Sequence, residues 1–76
     1  MSYRKNFATK IAELRRDNNM SMQVLATTLG VTHQAISLME HSKRSPSFEI
    51  LCQLADFFDV SLDYLCGRSE SRERLP

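Results

Sequence analysis

The sequence predicts an all-α fold, a single small domain of five short helices, and three observations predict it. Apolar residues recur at helical spacing in five stretches. Serine or threonine opens all but the first of them, and nowhere do apolar and polar residues alternate as a strand requires. A chain of 76 residues, 42 % of them hydrophobic, can build one core and no second one. A core of this size is marginal, so a partner or a second copy is expected to add stability.

The first helix spans Asn6 to Asn18, with Phe7, Ile11 and Leu14 on one face and Ala8 and Ala12 beside them. "DNNM" breaks it, and Ser21 caps a second helix from Met22 to Thr28. Gly30 follows, where a helix can end at positive φ, and Thr32 caps a third helix from His33 to Glu40 with Ile36 and Met39 facing inward. "HSKRSPS" is a loop, because Pro46 disfavours helical geometry at Ser45. Ser47 opens a fourth helix whose stripe is Leu51, Leu54, Ala55 and Phe58, with Glu49 favourable in its first turn. Ser61 caps a short fifth helix, in which Leu62 and Leu65 face inward and Gly67 ends the run. The domain is thus expected over residues 1–67, with 68–76 as a charged, mobile tail.

Several function classes find no support. No apolar run approaches the roughly 18 residues that cross a bilayer, and "MSYRKNFATK" lacks the apolar segment of a secretory signal, so a cytoplasmic chain is expected. Cys52 and Cys66 have neither C-x-x-C spacing nor histidine neighbours, which suggests reduced structural thiols without a metal site. No paired carboxylates, no Ser/His/Asp set and no metal-ligand spacing point to an enzyme, a cofactor or a small-molecule ligand. Net charge is only +1, but its distribution is uneven. Residues 1–44 carry seven Lys/Arg against three Asp/Glu, and residues 45–76 carry three against six. One end of the chain is basic.

Between Met22 and His41 the residues fit two helices joined by a tight turn. Ala26 is small where the third helix must cross, Gly30 turns the chain, and Leu25, Leu29, Val31, Ile36 and Met39 form the wedge between them. From Phe7 to Gly67 the sequence resembles the phage lambda repressor and Cro type of helix-turn-helix family, also called XRE-like. The likeness rests on "IAELRRDNNMS", "LATTLGVTHQAISLMEHSKRSPS" and "LADFFDVSLDYLCG". It implies a compact five-helix bundle that binds double-stranded DNA as a homodimer and regulates transcription, usually as a repressor on a pseudo-palindromic operator. It further implies an ion pair between Arg15 and Glu40 that ties the third helix to the first.

In such a fold the third helix enters the major groove and surrounding groups hold phosphates. Its outward positions are His33, Gln34, Ala35, Ser37 and Leu38, none of them cationic. Gln34 can pair with adenine N6 and N7, Ala35 or Leu38 can meet a thymine methyl, and His33 can donate or accept. Phosphate contacts fall to Lys43, Arg44, Ser45 and Ser47 in the loop and to the helix starts at Ser21 and Thr32. Where the family commonly has a phosphate-gripping glutamine this chain has Met22, and Gln23 is the substitute; His41-Ser42 replaces the usual Asn-Gly. The resemblance assigns the dimer contact to the last helix and its neighbour, here Phe57, Tyr64 and Cys66. The alternative function is a protein-docking module on the same fold, antitoxin-like or anti-repressor, with Leu38, Met22 and Val24 as its apolar patch.

Overall fold

A computed structural model describes residues 2–74; residues 1, 75 and 76, which include the end of the expected tail, lie outside the described residues. The element order is α1 (Tyr3–Asp17), α2 (Met22–Leu29), α3 (His33–Glu40), α4 (Phe48–Phe58) and α5 (Leu62–Leu65), with no strand among the described residues. Each helix opens on a serine or threonine whose side-chain oxygen accepts a backbone N–H three residues on: Ser2 from Lys5, Ser21 from Val24, Thr32 from Ala35, Ser47 from Ile50 and Ser61 from Tyr64. α1 begins three residues earlier than expected. Tyr3, Arg4 and Lys5 carry no apolar period, and the Ser2 cap starts the helix instead.

The helix ends are equally uniform. Among the described residues five have positive φ, and each lies one or two residues beyond a helix end: Asn19, Gly30, Ser42, Asp59 and Gly67. Beyond each, a backbone N–H returns to a carbonyl five residues back, as in Met20 to Arg15, Val31 to Ala26, Lys43 to Leu38, Val60 to Ala55 and Arg68 to Asp63. This closure satisfies carbonyls that the helix itself leaves unpaired. Asn19 and Asp59 tolerate the left-handed conformation; Ser42 adopts it at a steric cost that glycine would avoid. Gly67 has a second reason to be glycine, since a Cβ there would lie 2.6 Å from Asn6 Cβ.

α3 packs on α1 and α2, while α5 packs on α1 and α4. Phe7, Ile11 and Leu14 from α1 meet Leu25, Ala26 and Leu29 from α2, Ile36 and Met39 from α3, and Leu54, Val60 and Leu65 from the second half. Ala26 is fully buried at the α2–α3 crossing, where a larger side chain would push the helices apart.

The Arg15–Glu40 pair is bidentate. Arg15 Nε donates to Glu40 Oε2 at 2.6 Å and its Nη2 to Oε1 at 2.9 Å, while Nη1 donates to the carbonyl of Met20 at 2.9 Å. The two side chains are only 13 % and 6 % exposed. The bond to Glu40 raises the Arg15 pKa above its ordinary value against the opposing effect of burial.

Three expectations are corrected. Ala35, expected on the outer edge of α3, is 7 % exposed and belongs to the core cluster, on a helix that packs against both α1 and α2. Tyr64, expected at an outer contact, is 4 % exposed. Its hydroxyl accepts from Arg72 Nε at 3.1 Å, and Lys10 Nζ lies 4.7 Å from the ring centre. Leu62, expected inside, is exposed, because Tyr64 and Leu65 fill the inward positions of so short a helix. Residues 68–74 of the expected tail make contacts with the body of the domain. Ser61 N–H donates to the carbonyl of Arg72, and Arg74 meets Asp56 and Asp59.

Two stability measurements follow from this packing. Glu40→Gln strips the carboxylate from a nearly buried guanidinium and should cost about 3 kcal/mol, which lowers the thermal midpoint by roughly 12 °C or more; an unchanged midpoint would contradict the structural role of the pair. Tyr64→Ala should cost about 3 kcal/mol by emptying the α1–α5 contact, whereas Phe57→Ala, at an exposed ring, should cost under about 1 kcal/mol. Equal losses in thermal unfolding would refute that assignment.

Candidate nucleic-acid interface

The bundle exposes the first two residues of α3 and buries Ala35 and Ile36 behind them. The Thr32 cap and the Gly30 turn set where α3 begins, and the Arg15–Glu40 pair sets where it ends. His33 and Gln34 are exposed on its first turn, and Ser37 and Leu38 are half-buried on the second. Ser37 is engaged locally, since its carbonyl lies 2.7 Å and its hydroxyl 3.4 Å from His41 Nδ1. The freely projecting part of the edge is therefore His33 and Gln34, with Leu38 showing part of its side chain beside them. All are uncharged or, for His33, titratable side chains, suited to hydrogen bonding and apolar contact.

The left-handed Ser42 turns the chain sharply after α3, so Lys43 and Arg44 follow on directly and are exposed, as are Ser45 and Ser47. The caps at Ser21, Thr32 and Ser47 use their oxygens as acceptors, and each hydroxyl keeps its own O–H to donate outward. Gln23 is exposed on α2, its side-chain amide donating to Thr27 Oγ1 at 3.2 Å. The structure thus brings His33, Gln34 and Thr32 together at one helix start and Lys43 to Ser47 together in the following loop. Ala35 and Tyr64 are in the interior, while Phe57 is exposed on α4 and Cys66 is half-buried at the end of α5. Burial, helped by the charge of Asp63, pushes the Cys66 thiol pKa up, which disfavours its thiolate.

Charge pairing divides the surface. Among the described residues Lys10, Arg15, Arg68, Arg72 and Arg74 have a carboxylate within ion-pair distance. Arg4, Lys5, Arg16, Lys43 and Arg44 have none. Sequence reasoning overlooked two neighbours of the loop. Arg4 reaches across from α1, its Nε donating to Ser45 Oγ at 3.1 Å. Phe48, the first residue of α4, is 75 % exposed although it stands at stripe spacing from Leu51 and Ala55. The stripe signal was present, but the core does not extend that far toward the start of the helix.

Comparison with known proteins bears on the family of the chain. The helix-turn-helix family matches the chain over residues 11–65. The HTH-type transcriptional regulator AnsR of Bacillus subtilis is 37 % identical over 67 residues, covering 88 % of this chain and 58 % of that protein. The uncharacterized HTH-type transcriptional regulator YqaE of Bacillus subtilis is 32 % identical, covering 91 % of this chain and 59 % of its own length. The HTH-type transcriptional activator BcrR of Enterococcus faecalis is 36 % identical over 64 residues, which are 84 % of this chain and 31 % of that protein. The chain therefore spans well under two thirds of the length of each of these relatives. No solved structure matches it significantly. With five helices in this order, a capped and glycine-turned α2–α3 unit, and a family match from within α1 to the end of α5, the chain belongs to the helix-turn-helix family of lambda repressor and Cro type.

Proposed function

We propose that this chain is the sequence-specific DNA-binding domain of a transcriptional regulator, reading double-stranded DNA in the major groove through α3. The observation that carries the reading is the exposed uncharged start of α3 together with exposed Lys43 and Arg44 in the loop after it, neither with an ion-pair partner among the described residues. Base edges are read best by groups that can both donate and accept, and phosphates are held by cations. Gln34 is assigned to adenine, His33 to a base or phosphate, and Leu38 to a thymine methyl. Ser37 ranks below them because it is half-buried and its hydroxyl lies 3.4 Å from His41 Nδ1. Ser21, Gln23, Thr32, Lys43, Arg44, Ser45 and Ser47 are assigned to the backbone.

The longest dimension of the domain is 30 Å, below the roughly 34 Å between half-sites one DNA turn apart. A pseudo-palindromic site therefore calls for a dimer. Exposed Phe57 and Leu62, with Cys66 nearby, are the surface proposed for that contact in place of buried Tyr64. Repression is the proposed mode, since occupying a site suffices for it. A relative named as an activator carries much additional chain. The docking-module reading is supported by exposed Val24, but Leu38 is half-buried and contributes little to an apolar patch.

A salt series on duplex DNA tests the assignment. Affinity should fall steeply as salt rises, and Lys43→Ala and Arg44→Ala should each reduce the log–log slope by about one. Gln34→Ala should leave the slope intact and lose about 1–3 kcal/mol of discrimination between bases. A chain that shows no salt-dependent duplex binding would instead be a docking module.

A further inference from the structure

The loop after α3 is joined by a cation from the other end of the chain. α1 carries Arg4 and Lys5 in its first turn and no acidic residue there. Positive charge at a helix start opposes the helix dipole, so α1 gains nothing from these two side chains. Neither has a carboxylate within ion-pair distance among the described residues, although the arginines at 68, 72 and 74 all do.

Arg4 is nevertheless directed. Its Nε donates to Ser45 Oγ across 41 positions of sequence, which brings the guanidinium next to the residue that follows Arg44. The bond employs one edge of the guanidinium and leaves both terminal nitrogens free to donate. Ser45 accepts with its oxygen and keeps its O–H. The side chains together form a small fork of donors with a fixed positive charge, and no carboxylate among the described residues pairs with it. A phosphate oxygen fits that fork, because planar guanidinium donors match it in geometry as well as charge.

We propose that Arg4 is a further DNA-backbone contact, presented by α1 and aimed by Ser45, extending the strip formed by Lys43 and Arg44. It binds phosphate and carries no base preference. This inference rests on the DNA-binding reading above, and the test separates the two. Duplex affinity is measured against salt for the unaltered chain, Lys43→Ala, Arg4→Ala and Arg4→Lys, with thermal melting as a check that all four are folded.

Arg4→Ala should reduce the slope by about one and weaken binding about fivefold near 0.15 M salt, equally on all sequences. Arg4→Lys should retain the slope, because charge alone releases the counterion. If Lys43→Ala flattens the slope and Arg4→Ala does not, the inference about Arg4 is overturned while the DNA-binding reading stands. If the unaltered chain shows no salt-dependent binding, both are overturned.

Discussion

Arg15 and Glu40 meet where α1, the turn at Met20 and the end of α3 converge, and the direction of α3 depends on that meeting. Three guanidinium nitrogens are used, two by one carboxylate and one by a backbone carbonyl, so neither charge is left without a partner. Removing two charges from water has a large cost, and an apolar pair of similar size could provide as much stability. What an apolar pair lacks is direction. A bidentate fork accepts its carboxylate in one plane, and this fixes the end of a helix only eight residues long. With that end held, the first turn of α3 projects His33 and Gln34 from the body.

The remaining constraints follow the same logic of short elements held at both ends. Helices of four to fifteen residues have little intrinsic stability, so each depends on its cap, its closure and one buried face. The five left-handed residues stop the helices abruptly, which keeps the connections short and the elements in register. At Ser42 this closure also determines where Lys43 and Arg44 leave the domain. Ion pairing then sorts the cations. Those near α5 and the tail are neutralised by Asp17, Asp56, Asp59, Asp63 and Glu70, and those near the α3 loop retain their charge. A chain with a net charge of +1 can thus present a positive face without being a basic protein.

Much of this was legible in the sequence because it is local. Ser21, Thr32, Ser47 and Ser61 announce helix starts, and Gly30 and Gly67 announce ends, through backbone chemistry that needs no distant partner. The core positions from Phe7 to Leu54 follow from helical spacing. What was not legible depends on contacts between distant segments. Nothing in the spacing of α5 distinguishes Tyr64 from Leu62. Tyr64 is inside because Lys10 and Arg72 close over its ring. Ala35 is small enough to suit either face of α3, and only the crossing with its neighbours decides. The alternating charges of the tail read as solvated until Asp17, Asp56 and Asp59 are seen opposite Arg72 and Arg74. The Arg4–Ser45 bond belongs to the same class, since no local pattern relates the two residues.

In the proposed function a neutral α3 edge reads sequence while flanking groups supply affinity. The most direct measurement is selection of bound duplexes from a random pool at about physiological salt. The expected result is enrichment of an A·T-containing motif, repeated in inverted orientation with half-site centres about one helical turn apart. A bound pool with the composition of the input, even at good affinity, would contradict it. In that case the loop cations would act alone, and α3 would read nothing.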